Sequence, residues 1–299
     1  LTDSAVLSPP VAADSLHHRV GFMQGRMSAL IDGRIQAFPW PSWREEFSVA
    51  EKNGFRLMEW TLDQDRLYEN PLLTTTGQDA IRELMRRYHI GIPSLTGDCF
   101  MQAPFWKAHG ENSKSFKRDF LAVAAACGKV GISMLIVPLV DNGRLETAGQ
   151  EDILVEFLQS EKPYFDTLGL RVLFESDFEP PALHRFIERL DPDSFGVNYD
   201  IGNSAALGFD PAEEIATYGH RIMNVHVKDR KLGGTTVPLG EGAANFEAVF
   251  SALGRAGYAA NFILQTARSP DGDHVGALRR YRDMTVDWLR RAEEGRLAS

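Results

Sequence analysis

From residue 19 onward, short apolar runs alternate with longer segments in which apolar residues recur every three or four positions. The short runs, over 19–24, 55–60, 92–96, 132–138, 170–175, 195–200, 222–228 and 261–266, predict eight buried parallel strands. The longer segments, over 43–53, 77–88, 113–129, 150–168, 181–190, 211–218, 246–256 and 274–291, predict amphipathic helices. Pro181 and Pro211 suit a first helical turn, and Gly54, Gly131 and Gly257 suit the stop before the next strand. Eight strand–helix pairs in this order predict one α/β domain over 19–299, a closed (β/α)8 TIM barrel. An open doubly wound sheet is the alternative, but no strand runs into a GxGxxG phosphate turn. Residues 1–18, small and polar around Pro9-Pro10, read as a loosely ordered arm and lack the basic start and apolar centre of a secretory signal.

Composition narrows this picture only slightly. The two cysteines, Cys99 and Cys127, form no CxxC pair, which argues against a disulfide framework or a cysteine-built zinc site. A cytoplasmic protein is expected. No apolar run is long enough to span a bilayer. The net charge of −9 opposes loose attraction to nucleic acid or an anionic membrane, and an anionic small substrate would need a local cluster of Lys and Arg. A homo-oligomer stays open.

In such barrels the chemistry lies at the carboxyl ends of the strands. Here Glu175, Asp200, His226 and Gln265 each close an otherwise apolar run, on four consecutive strands. Taken singly, each has a plainer reading as a helix cap, an ion-pair partner or a rim residue. Together they aim three oxygen donors and one imidazole at a shared point. Two carboxylates so placed repel unless a cation or proton lies between them. One divalent ion is therefore expected, Mn²⁺ or Mg²⁺ by donor type, with Co²⁺ or Zn²⁺ also acceptable.

Four stretches carry a family likeness: Phe174-Glu175-Ser176-Asp177, Tyr199-Asp200-Ile201-Gly202-Asn203, Asn224-Val225-His226-Val227-Lys228-Asp229-Arg230 and Pro238-Leu239-Gly240-Glu241-Gly242. In this order they resemble the xylose-isomerase-like barrel superfamily (AP endonuclease family 2), in its sugar phosphate isomerase/epimerase branch, from Val20 to about Arg291. The resemblance implies metal-ligand roles for Glu175, Asp200 and His226. In the family the strand-eight ligand is a glutamate, which pairs with the strand-five glutamate as acid and base. Gln265 stands at that position here. An amide oxygen can still coordinate a cation, but it carries no proton to exchange near neutral pH.

The expected activity is therefore isomerisation of a small ketose or aldose, or of its phosphate, with Glu175 moving a proton on one face through a metal-stabilised enediolate. Epimerisation needs a second acid, for which Glu59, Asp98 and Lys228 are the candidates. Lys228 shares strand parity with His226 and so faces the same mouth, where it can hold a phosphate or polarise an oxygen; a rim lysine paired with Asp229 is the plainer reading. Asn203, Arg230, Arg268, Arg26, Asp98 and Trp60 are expected to contact substrate, with Lys231 beside the arginines in an anion clamp. Trp40, Trp43, Phe100, Phe105 and Trp106 offer an apolar wall for a sugar or plain helix–barrel packing. Gly233-Gly234 and Gly240-Glu241-Gly242 suggest a mobile loop after strand seven. The rivals are a dehydratase of a keto-cyclitol on the same scaffold, an apurinic endonuclease, and a non-catalytic sugar- or protein-binding barrel. Eight histidines, few at strand ends, and the acidic balance disfavour the endonuclease.

Overall fold

The computed structural model describes residues 16–298, and most of the proposed arm therefore lies outside the described residues. Leu16 belongs to the core, at 1% exposure. Eight parallel strands close a barrel: β1 (Val20–Met23), β2 (Met58–Leu62), β3 (Ser94–Gly97), β4 (Met134–Leu139), β5 (Arg171–Ser176), β6 (Phe195–Asp200), β7 (Ile222–Val227) and β8 (Phe262–Leu264). The circuit runs from β1 through β8 back to β2, each strand pairing with its sequence neighbours. An open doubly wound sheet is thereby excluded. No helix among the described residues is long and apolar enough to cross a membrane.

The principal helices are α1 (Glu45–Lys52), α2 (Thr75–Tyr88), α3 (Gly110–Val130), α4 (Ala148–Leu168), α5 (Pro180–Ile187), α6 (Pro211–Tyr218), α7 (Phe246–Arg255) and α8 (His274–Ala298). Their starts are chemically marked. The Thr74, Thr147, Asp210 and Asn245 side chains accept backbone N–H groups of the first turns of α2, α4, α6 and α7. Two short helices that the apolar pattern does not predict, Asp98–Gln102 and Ile201–Leu207, follow directly on β3 and β6 at the barrel mouth.

Strand alternation divides the side chains into two populations. Outward residues such as Phe22, Trp60, Phe174 and Phe262 join the main apolar layer between barrel and helices. Inside, Met134, Ile136 and Leu173 form a small separate apolar cluster with Met223, beside a register shift in the β6–β7 pairing. Met23 and Ile263 also face inward, and the remaining interior is largely polar: Glu59, Ser94, Thr96, Asn198, Asn224 and His226 are all buried. One strand departs from expectation with consequences for the site. β2 spans Met58–Leu62 rather than 55–60, so Glu59 lies one layer below the mouth and Trp60 points out of the barrel.

Candidate active site and metal centre

At the carboxyl ends of the strands is a cleft of about 710 Å³, with Glu175, Lys228, Gln265, Asn203 and Asp98 on its walls. Glu175, Asp200 and His226 are buried together, each offering one ligand atom, and these atoms lie within 4.8 Å of one another. Strand register sets this spacing, since Asp200 and His226 are paired neighbours in the β6–β7 ladder.

The neighbours hold each group in a defined orientation. His226 Nε2 lies 2.7 Å from Glu59 Oε1, while Nδ1 faces Glu175 Oε2 at 3.1 Å and Asp200 Oδ2 at 3.9 Å. Glu59 also accepts from Ser94 Oγ at 2.6 Å, Thr96 Oγ1 at 2.7 Å and Asn224 Nδ2 at 3.1 Å, so its carboxylate is fully satisfied. Burial works against charge on His226, but Glu59 and Glu175 outweigh it and raise the imidazole to about 10. Glu175 receives Asn203 Nδ2 at 2.6 Å and Asn198 Nδ2 at 3.1 Å. Burial penalises its charge, yet His226 and Lys228 hold its carboxyl below the usual range. Asp200 ends β6 and caps the next helix by accepting Asn203 N–H at 2.8 Å. Burial raises its carboxyl, against the pull of Lys228.

Lys228 donates to Asp200 Oδ2 at 3.1 Å, Asn203 Oδ1 at 3.2 Å and Gln265 Oε1 at 3.1 Å. It is therefore tied into the cluster and not paired with Asp229 on the rim. Gly202 makes room for it: a Cβ there would lie 2.6 Å from Lys228 Cγ. Asp229 instead pins the following loop, accepting the backbone N–H groups of Gly240 at 2.9 Å, Gly242 at 2.8 Å and Ala244 at 3.1 Å. A Cβ on Gly242 would meet the Asp229 carboxylate at 2.0 Å, so that close approach requires glycine.

The donor chemistry fits a divalent cation. Two carboxylates supply −2 for the ion, and Glu59 at Nε2 directs the other imidazole nitrogen, Nδ1, to the cluster. Gln265 turns its Oε1 to the same region, within reach of Lys228.

Other expected residues occupy different places. Arg230 lines the cleft and donates to Asn203 Oδ1 at 2.9 Å. Arg26 and Arg268 are turned into the loop after β1. Arg26 donates to Ile35 O and to Gln36 Oε1, and Arg268 donates to Ser28 O at 2.8 Å and Ile35 O at 3.1 Å. They hold that loop rather than an open anion site. Lys231 donates to Glu241 O. Glu59 has no exposed surface, and its contact with the cluster runs through His226 Nε2. Trp60 is likewise fully buried; it packs on Trp43 and Phe38 and donates to Asn70 Oδ1 at 3.3 Å. Trp43, Phe100, Phe105 and Trp106 are buried and, like Trp40, absent from the cleft walls. The sequence pattern overlooked Gln36. It lies in a loop without periodicity, yet it lines the cleft and donates to Asp98 Oδ2 at 2.6 Å.

Residues 47–292 match the family model described as the xylose isomerase-like TIM barrel. The chain belongs to this family. An inosose dehydratase of Geobacillus thermodenitrificans is 25% identical over 197 residues, 55% of this chain and 66% of the relative. The L-ribulose-5-phosphate 3-epimerase UlaE of Shigella flexneri is 40% identical over 102 residues, 32% of this chain and 33% of the relative. The chain thus matches just under two thirds of the first relative's length and about a third of the second's. Among solved folds, an IolI protein with bound zinc superposes with a TM-score of 0.72 at 17% identity, covering 92% of this chain and 99% of that one. A D-tagatose 3-epimerase-like protein gives 0.69 at 17% identity, covering 93% and 99%. The proteins similar to this chain thus include a named epimerase and a named dehydratase, and the chain carries a buried Glu/Asp/His cluster of metal-ligand type.

Proposed function

We propose that the protein is a divalent-cation-dependent isomerase or epimerase of a small ketose or aldose, or of its phosphate. The observation that carries this reading is the convergence of Glu175, Asp200 and His226 just beneath an open cleft that Glu175 itself lines. When bound, a divalent ion supplies Lewis-acid polarisation of a carbonyl oxygen and so acidifies the adjacent C–H. Asp200, His226 and Glu175 would hold it, with Gln265 as a neutral fourth donor.

The chain's own residues do the rest. Glu59 fixes the His226 ring through Nε2, and Asn198 and Asn203 fix the Glu175 carboxylate. Glu175, kept ionised, takes the proton from the carbon beside the carbonyl. Arg230 on the cleft wall presents positive charge to substrate oxygens or a phosphate, and Lys228 adds its charge from within the cluster.

A dehydratase is the second reading. It is favoured by the long alignment with the inosose dehydratase. The test is to incubate Mn²⁺-loaded protein in D₂O with a panel of ketoses and ketose phosphates, including L-ribulose 5-phosphate, and with a keto-cyclitol. Deuterium appearing at the carbon beside the carbonyl, with sugar interconversion and no loss of water, is the expected result. Loss of water from the cyclitol alone would favour the lyase; no exchange with any member would overturn both readings.

A further inference from the structure

We propose that Asp98 is the second acid–base group of the site, held in place by Gln36, and that the reaction is a two-carboxyl epimerisation. This rests on the enediol reading above and completes it where Gln265 leaves it short. Of the three candidates for a second acid, Glu59 is sealed beneath the site and Lys228 spends its three donors on Asp200, Asn203 and Gln265.

Asp98 is free of both objections. It opens the short helix after β3 and lines the same cleft as Glu175. The other carboxylates on the cleft wall are occupied or peripheral. Asp63 accepts Phe38 N–H at 3.0 Å and Gln102 Nε2 at 3.0 Å, Asp177 pairs with Arg144 at 2.5 Å, and Asp141 stands exposed on the rim. Asp98 has one oxygen taken, by Gln36 Nε2 at 2.6 Å, and its Oδ1 has no hydrogen-bond partner among the described residues.

The orientation of Gln36 is forced by two cations. Lys228 can only donate, so it fixes Gln265 Oε1 toward itself and turns Gln265 Nε2 to Gln36 Oε1 at 3.0 Å. Arg26, also a pure donor, meets the same Gln36 Oε1 at 3.1 Å. Gln36 must therefore point its NH₂ at Asp98. A glutamate at 265 would set an oxygen against Gln36 Oε1 and break the relay. The amide is thus built into the arrangement that positions the second carboxyl.

The surroundings suit proton exchange near neutrality. Burial raises Asp98, Asp63 and Glu175 push the same way, Gln36 and Arg26 oppose them, and the carboxyl is carried up to about 7. In the reaction, ionised Glu175 takes the proton from the carbon beside the carbonyl. The C–H electron pair forms the C=C bond of an enediolate and the carbonyl pair moves to oxygen. Protonated Asp98, approaching from the β3 side, gives its proton to the same carbon and the carbonyl reforms. Glu175 ends protonated and Asp98 ionised, and exchange with water through the open cleft restores both.

The test uses metal-loaded wild type, D98N and E175Q, with L-ribulose 5-phosphate and the ketose panel in D₂O. D98N should still wash deuterium into the substrate carbon while inversion falls by about a hundredfold or more, as for loss of one acid–base group; E175Q should lose both. Inversion by D98N at the wild-type rate, or loss of its wash-in together with inversion, would overturn the assignment. A binding arm needs no turnover. For glycolohydroxamate, a two-carbon enediolate mimic, the ratio of wild-type to D98N affinity should fall about tenfold between pH 6 and pH 8, as the acid form of Asp98 is lost. A ratio independent of pH would overturn the role of Asp98 alone. A wild-type site that binds no hydroxamate would overturn the enediol reading and this assignment with it.

Discussion

The two sides of the barrel mouth are built by opposite means. On the β5–β7 side, Glu175 and Asp200 are held by close polar pairing, Glu175 with His226 Nδ1 at 3.1 Å and Asp200 with the Lys228 ammonium at 3.1 Å. On the β8–β1–β3 side, Gln265 and Gln36 pass a hydrogen bond from one neutral amide to the next and end on a single carboxyl, Asp98. The charged side has the donors to grip a metal ion and keeps one carboxylate ionised. The neutral side leaves its one carboxyl poised near pH 7 by burial. One site thereby holds two carboxyls with different proton affinities, which is what separates a base from an acid.

Substitutions can break this contrast in graded steps. Removing the base on the charged side, E175Q, should have the largest effect, a fall in kcat on the order of 10³ measured by isotope exchange and product formation. Next comes the neutral side. Asp98 is in its acid form below about pH 7, so proton delivery is present at low pH and lost as pH rises through that value. The wild-type rate at saturating substrate, in the direction where Asp98 gives the proton, should fall above pH 7; in D98N the rate should be low and lack that limb. E59Q leaves the cleft untouched but loosens His226, and should weaken divalent-ion affinity by about 10–100-fold in calorimetric titration. The smallest effect separates site from packing. W60F should leave kcat/KM within about twofold while costing about 1 kcal/mol of stability in urea unfolding, through the lost hydrogen bond to Asn70.

The charged side was legible in the sequence because strand ends announce themselves: a polar residue closing an apolar run must face either the mouth or a helix cap. Glu175, Asp200, His226 and Gln265 could be read this way, and Asp200 turned out to serve as both. The same logic misplaced Glu59 and Trp60. Phe55 continues the apolar run, but backbone pairing moves β2 to Met58–Leu62, which lowers the glutamate one layer and turns the tryptophan outward. Gln36 had no signal. It lies in the loop between β1 and α1, where neither period applies, and its role comes from contacts with residues 62 and 229 positions away. Arg26 and Arg268 looked like an anion clamp because they follow strand ends. Their guanidinium groups instead satisfy carbonyls of that same loop.

Glu175, Asp200 and His226 together should hold one divalent cation. Titration of Co²⁺ into chelator-treated protein, followed by visible absorption and calorimetry, tests it most directly. One equivalent should bind with d–d bands of a site containing nitrogen and oxygen ligands, and H226A should abolish both the bands and the heat while retaining its fold by circular dichroism. No binding to the wild type, or unchanged binding to H226A, would contradict the account.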